Sequence, residues 1–106
     1  METRDWYAWI NTMPPKPDDF HVIGEVYVGN PGVEGFLAFR EPQGINNKIL
    51  LLDLHLVQRP GMWPQVMTWV QARYDSVIRP DAPEYTDVEI FFEAKSIAKI
   101  SVEIVH

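Results

Sequence analysis

The chain has 106 residues and no cysteine, so we expect one cooperative folding unit without disulfides, thiolate chemistry or cysteine-ligated metal. Hydrophobic residues make up 46% and charged residues 23%, values near the globular average that exclude a disordered, collagen-like or coiled-coil chain. The net charge is −6 and the basic residues are scattered singly, which excludes nucleic acid as an expected partner because its phosphates would be repelled.

No targeting or membrane-spanning segment is predicted. The N-terminus lacks the basic start and apolar run of a secretory signal. The longest apolar stretch, Ile49 to Val57, is interrupted by two polar residues and is far shorter than the roughly 20 residues that cross a bilayer. We therefore expect a cytoplasmic protein with no membrane partner. We treat 1–106 as one domain, with an N-terminal segment (1–19) and a β-rich body (20–106).

The N-terminal segment is first aromatic and then rich in proline. Trp6 precedes Trp9 and Ile10 by three and four residues, a spacing that slightly favours a short helical turn over an extended strand. The prolines between Met13 and Asp19 fix φ and remove backbone donors. This stretch is predicted to be a stiff connector without regular structure.

From Phe20 onward, apolar and polar residues alternate with the period of two that is typical of strands. Residues 20–28 form the first such stretch. Pro31 and Gly32 follow in the order that a type II turn requires, so a hairpin is predicted with a second strand at 33–40. Further strands are predicted at 49–57 and 66–74, and the last two alternate over 87–93 and 99–104, joined by a turn near 93–96.

Six short strands with no helices between them predict an all-β fold. We favour a small antiparallel β-sandwich, and a small barrel is the alternative. The third strand should be central, because alternate leucines give it one fully apolar face: Leu50, Leu52, Leu54 and Leu56.

The first four strands also carry apolar residues on the face that a sandwich would expose. These residues are Ile23, Tyr27, Ile49, Leu51, Met67 and Trp69. Each large apolar side chain removed from water contributes about 1.5–3 kcal/mol, so we expect the face to be covered. The aromatic segment Trp6 to Ile10 is the expected cover, and a second copy of the chain is the alternative. In that alternative, Ile49, Leu51, Met67 and Trp69 form an interaction surface.

Asp53 and His55 lie two residues apart on one face of the third strand, so together they could bind a metal or act as an acid/base pair, with Glu25 or Glu89 approaching from other strands. This spacing matches no recognised metal signature. The favoured interpretation is structural, because a charge within an apolar strand also discourages aggregation. No cofactor is predicted.

The loop 59–65 holds Trp63 between two prolines, a rigid presentation that suits stacking on a sugar or peptide, with Arg59 and Met62 beside it. The favoured alternative is that Trp63 packs over an open end of the fold, because exposed tryptophan is costly.

Nucleophilic catalysis is not predicted. None of the three serines lies in a G-x-S-x-G elbow, and the glycines do not spell a nucleotide-binding fingerprint. The leading hypothesis is a non-catalytic domain that binds an unknown protein, a small ligand or a second copy. The alternatives are an enzyme centred on Asp53 and His55 and a carbohydrate- or peptide-binding module that uses Trp63.

Overall fold

The computed structural model describes residues 1–12, 17–79 and 82–105. These residues form seven strands and no helix: β1 (Thr3–Asn11), β2 (Asp19–Val28), β3 (Val33–Phe39), β4 (Ile49–Gln58), β5 (Thr68–Val77), β6 (Asp87–Phe92) and β7 (Lys95–Val105). The strands form one closed barrel in the order β1-β2-β5-β3-β4-β6-β7. No helix in the described ranges is long and apolar enough to cross a membrane.

Strand β1 closes the barrel, because it pairs antiparallel with β2 and parallel with the end of β7. The all-β prediction and its barrel alternative are therefore confirmed, and the favoured sandwich is wrong because β1 joins two edges that a sandwich would leave separate. The helical turn predicted near Trp6 is also wrong, since this segment is strand. Most of the predicted proline connector, Met13 to Lys16, lies outside the described residues.

The predicted hairpin between the first two β-rich stretches is not formed. The chain does reverse after Val28, but β5 lies between β2 and β3 and pairs with both. Gly32 is not among the residues with positive φ, so the type II turn is wrong as well. The reversal is instead held by the Asn30 side chain, whose oxygen accepts a hydrogen bond from the Gly32 amide at 2.9 Å.

The barrel is mixed rather than wholly antiparallel. Three of its strand pairs run parallel: β1–β7, β3–β5 and β4–β6. The β3–β5 pair is the shortest, with only Gly35–Ala72 and Phe36–Arg73 in register. The β2–β5 pair is the longest and stays in register over the whole of β5, from Val28–Thr68 to Asp19–Val77.

The barrel interior is filled by the inward residues of every strand. The period-two pattern predicted these faces correctly, because Leu50, Leu52 and Leu54 are all buried. Trp6 packs against the interior at Gly24, where an added Cβ would lie 2.1 Å from the indole ring. Gly24 is therefore required for close approach of the ring and not for a special backbone conformation.

The turn predicted between the last two strands is confirmed, and it is shorter than expected. Phe92 pairs with Lys95, which leaves only Glu93 and Ala94 in the loop. Both have positive φ, 51° and 64°, the handedness that a two-residue hairpin needs to match the strand twist.

A row of rings and charges runs across the outer surface of the three neighbouring strands β1, β2 and β5. The rings of Tyr7 and Trp9 stack at 5.0 Å between centroids, and the Trp9 ring lies 5.0 Å from that of His21. His21 Nδ1 lies 2.5 Å from Asp75 Oδ1, and Arg73 donates to Asp75 Oδ2 at 2.7 Å. The hydrogen bond from Arg73 is the main cause of a lowered Asp75 pKa.

Candidate functional site: the loop end of the barrel

We call one end of the barrel the loop end: here β2 and β4 finish, β3 and β5 begin, and residues 59–67 connect β4 to β5. The connection is tied to the β2–β3 turn at its start. The Arg59 amide donates to the Gly32 carbonyl at 2.8 Å, and the side-chain amides of Asn30 and Gln58 exchange hydrogen bonds of 2.8 and 3.1 Å. The loop therefore leaves β4 in a fixed direction.

Trp63 fastens the middle of this loop. Its ring lies over Gly32, where an added Cβ would be 2.4 Å from the indole. Trp63 Nε1 donates to the Arg59 carbonyl at 3.0 Å, and the Arg59 guanidinium lies 4.7 Å from the ring centroid. The ring is thus engaged on one face by a turn and approached by a cation, which agrees with the favoured packing role. Ligand stacking by Trp63 stays a prediction.

Other apolar side chains of this end are exposed while Trp63 is packed. Met62 is 101% exposed, and Val66 and Met67 are 53% and 52% exposed. Val57, on the outer face of β4 just before the loop, is 48% exposed. We call these four residues the apolar patch. At its edge, Arg59 Nε lies 3.6 Å from Glu34 Oε1, so the patch is bordered by one basic and one acidic group.

The four residues predicted as an interaction surface are not brought together. Met67 and Trp69 lie at the loop end, near the start of β3. Leu51 lies beyond the other end of β3, where its carbonyl accepts a hydrogen bond from the Arg40 amide at 3.0 Å. Ile49, the first residue of β4, lies two residues before Leu51 and is therefore still further from the loop end. Only Met67 therefore belongs to the apolar patch.

The segment Trp6 to Ile10 does not lie across the outward apolar residues: Leu51 and Trp69 are contacted by other residues, and Met67 stays 52% exposed. The prediction of that cover is wrong, because β1 lies within the barrel wall and not across it. The Leu51 side chain lies beside Gly44, where an added Cβ would be 3.3 Å from Leu51 Cδ1, and the Gln43 side-chain amide bonds the Leu51 backbone N–H and C=O at 2.9 and 2.8 Å. The Trp69 ring lies 4.8 Å from the Tyr27 ring at a tilt of 34°, and the Arg4 guanidinium lies 3.8 Å from the Trp69 ring centroid.

Asp53 and His55 share the outer face of β4, as predicted. The Asp53 carboxylate is paired with Arg40 at 2.5 Å, and the Arg40 guanidinium lies over the Phe91 ring at 4.5 Å. His55 is exposed and stands opposite Phe36. Among residues 1–12, 17–79 and 82–105 there is no group of three potential ligands. The arrangement is that of a structural ion pair beside an exposed histidine.

Glu25 and Glu89, the two carboxylates expected to approach Asp53, have partners elsewhere. Glu25 bonds Arg4 at 3.0 Å on β2, which lies three places from β4 in the barrel. Glu89 accepts a hydrogen bond from Ser96 at 2.7 Å. Neither contact joins these carboxylates to His55.

The sequence drew attention to the loop 59–65 but not to the exposure of Val57 and Val66. Alternation assigns a residue to a face, but it does not show whether a loop covers that face. The nearby Trp63–Gly32 contact joins positions 31 residues apart in sequence, and no local pattern reports it. No protein-family model, curated protein or solved structure matches the chain.

Proposed function

We propose that the protein is a non-catalytic interaction domain that associates with a second copy of itself through the apolar patch. The observation that carries the proposal is the complete exposure of Met62 beside Val66 and Met67 on a loop whose tryptophan is fastened. Burial of each such side chain would contribute about 1.5–3 kcal/mol, which favours an occupant over solvent.

The loop also meets two further requirements of an association surface. Its hydrogen bonds to the Gly32 carbonyl and from Trp63 Nε1 hold it in place before binding, which lowers the entropy lost on association. The methionines at its tip have flexible, polarizable side chains that adapt to an irregular partner surface.

The charges at the edge of the patch favour a second copy as the occupant. A two-fold dimer brings the same patch together from both chains, so the Arg59–Glu34 pair of one chain can exchange partners with the same pair of the other. Arg59 and Glu34 provide one basic and one acidic group, and their side chains are 46% and 44% exposed. The patch edge is therefore self-complementary although the whole chain is acidic.

Sedimentation velocity over a range of protein concentrations tests the proposal. We expect a concentration-dependent dimer, and at least a tenfold weaker dimer when Met62→Ser and Val66→Ser are combined. Both side chains are exposed, so the double variant should keep the stability of the parent protein.

Ile45→Ser provides the matched control. Ile45 is 107% exposed, but it lies in the loop that precedes β4, away from the loop end. This variant should dimerise like the parent protein. A chain that stays monomeric at every concentration, or a dimer weakened equally by Ile45→Ser, would contradict the proposal.

A further inference from the structure

The opposite end of the barrel contains an open cleft. We call it the cleft end: here β3 and β5 finish, and β4 and β6 begin. Beyond their two registered positions β3 and β5 do not pair, and a cleft of about 510 Å³ lies beside their C-terminal residues. This volume lies within the range of about 300–1,000 Å³ that is usual for small-ligand sites. Phe39 of β3 and Tyr74 and Ser76 of β5 contribute to its lining.

The floor of this cleft is apolar and aromatic. Leu50 is only 1% exposed, and the Phe20 and Tyr85 rings meet edge to face at 5.8 Å. Burial is the main cause of a raised Tyr85 pKa, with a smaller contribution from Tyr74, so the Tyr85 hydroxyl stays protonated at neutral pH. The floor therefore offers stacking surface together with a neutral hydroxyl.

Two opposite charges line the same cleft without being paired to each other. Glu41 follows β3 and Arg79 follows β5, and both contribute to the lining. Within residues 1–12, 17–79 and 82–105, neither side chain makes an ion pair or hydrogen bond. Of the other arginines, Arg4, Arg40, Arg59 and Arg73 each have a carboxylate partner. Arg79 is thus the arginine left available to a ligand.

We propose that this cleft binds a small zwitterion with a bulky apolar body, the chemistry shared by a free aromatic amino acid and a short apolar peptide. Arg79 binds the carboxylate, for which its planar fork of donors is suited. Glu41 binds the ammonium group. The apolar body packs on Phe20 and Tyr85. This site is separate from the apolar patch and does not depend on dimerisation.

A second cleft, on the other side of Tyr85, is a weaker candidate for the same ligand. It is larger, about 860 Å³, and Arg79 also contributes to it. Its other ionisable residues include two carboxylates, Asp18 and Glu84, so its charges do not match those of a zwitterion. Glu84 lines this cleft and not the first one, which makes it a useful control position.

Isothermal titration calorimetry with four related probes tests the proposal. The probes are L-phenylalanine, L-phenylalanyl-L-phenylalanine, N-acetyl-L-phenylalanine, which lacks the ammonium group, and L-phenylalaninamide, which lacks the carboxylate. We expect the two zwitterions to bind at least tenfold more tightly than either blocked form. Tighter binding of L-phenylalanine identifies the free amino acid as the ligand type, and tighter binding of the dipeptide identifies a peptide.

Charge-neutral variants assign each end of the ligand. Arg79→Gln should lower the affinity for L-phenylalanine at least tenfold and remove its advantage over the amide. Glu41→Gln should remove its advantage over the N-acetyl form. Both positions are exposed, so unfolding curves should match the parent protein.

Two controls complete the experiment: Glu84→Gln removes a carboxylate from the second cleft only, and Lys99→Gln removes a cation from β7, outside both clefts. Neither should change the affinity for L-phenylalanine. The proposal is overturned if no probe binds at millimolar concentration. It is equally overturned if the blocked forms bind as well as the zwitterions, or if a control variant weakens binding as much as Arg79→Gln.

Discussion

Apolar residues are exposed on the surface at one end of this barrel and line a cleft at the other. At the loop end, Trp63 lies over Gly32, and the remaining apolar side chains of the loop face solvent. At the cleft end, a cleft lies beside the residues where β3 and β5 stop pairing, and among the described residues it is lined by apolar rings and two opposite charges. The two ends thus differ in whether a loop side chain packs against a turn, and in whether their apolar residues lie on the surface or line a cleft. An apolar surface suits a flat protein contact, and an open cleft suits a small ligand.

The largest expected effect is common to both ends, because both depend on one core. Leu52→Ala should lower the free energy of unfolding by about 2–5 kcal/mol, since Leu52 is fully buried and its removal leaves a cavity. Leu51→Ala, one residue away on the outer face, is the control and should cost clearly less. Urea denaturation measures both. Similar losses for the two variants would show that the inward and outward faces of β4 are wrongly assigned.

The next effect should separate the two ends. Trp63→Ala should lower the free energy of unfolding by about 1–2 kcal/mol, because a partly exposed ring loses its packing on Gly32. It should also speed hydrogen exchange at the Arg59 amide and weaken the dimer at least tenfold. Binding of L-phenylalanine at the cleft end should not change.

Gly32→Ala tests the same contact from the other side, because its Cβ would displace the indole ring. The two variants should therefore weaken the dimer in the same way. Loss of L-phenylalanine binding in either of them would show that the ends are not separate.

A smaller effect is expected at Arg40, which directly follows β3. Arg40→Gln should cost about 0.5–1 kcal/mol, because its pair with Asp53 is partly solvated and its stacking on Phe91 adds little. Thermal unfolding without Zn²⁺ measures the loss of stability in Arg40→Gln. The same measurement with Zn²⁺ tests whether Asp53 and His55 bind a metal. We expect zinc not to stabilise Arg40→Gln, although Asp53 has lost its Arg40 partner in this variant. A large zinc-dependent rise in Tm that His55→Ala removes would favour the metal hypothesis.

The smallest effect is pH-dependent and belongs to the outer row of rings and charges. A carboxyl whose pKa is lowered in the folded state stabilises above its unfolded value, here 3.8, and loses that contribution as pH falls through the lowered pKa. Asp75 is 47% exposed, so the contribution is a few tenths of a kcal/mol. Asp75→Asn should therefore be slightly less stable than the parent at about pH 6, and the gap should close by about pH 2. A gap that stays constant over this range would exclude the ion pair as its cause.

The strands and their inward faces were predictable from sequence, whereas their neighbours were not. Alternation along 49–58 identifies the buried leucines because the period of a strand is fixed by its geometry. The Pro31-Gly32 turn signal is local and cannot report that β5, which begins 36 residues after Gly32, inserts between the strands that it connects. Likewise, the spacing of Trp6, Trp9 and Ile10 fits both a helical turn and the strand that closes the barrel.

The residues of the candidate sites likewise divide into those that the sequence indicated and those that it did not. Trp63, Met62 and Arg59 were identified because a tryptophan between prolines marks a loop that presents or packs a side chain. The three residues differ in how they pack, because Trp63 lies on Gly32, a residue that is distant in sequence and comes near only in the folded chain. Glu41 and Arg79 gave no signal, since each is a single charge in a loop and they are 38 positions apart. The cleft that they share lies where the parallel strands β3 and β5 stop pairing.

Strand β5 acts as a spacer between the two ends. It begins directly after Met67 and ends at the cleft with Ser76 and Val77, and all ten of its residues are in register with β2. A strand of this length extends about 30 Å and resists sliding, because a shift by one residue would turn its inward side chains outward. The proposed dimer contact and the proposed ligand cleft are thus separated by a fixed length of backbone, so the two proposals do not require their occupants to compete.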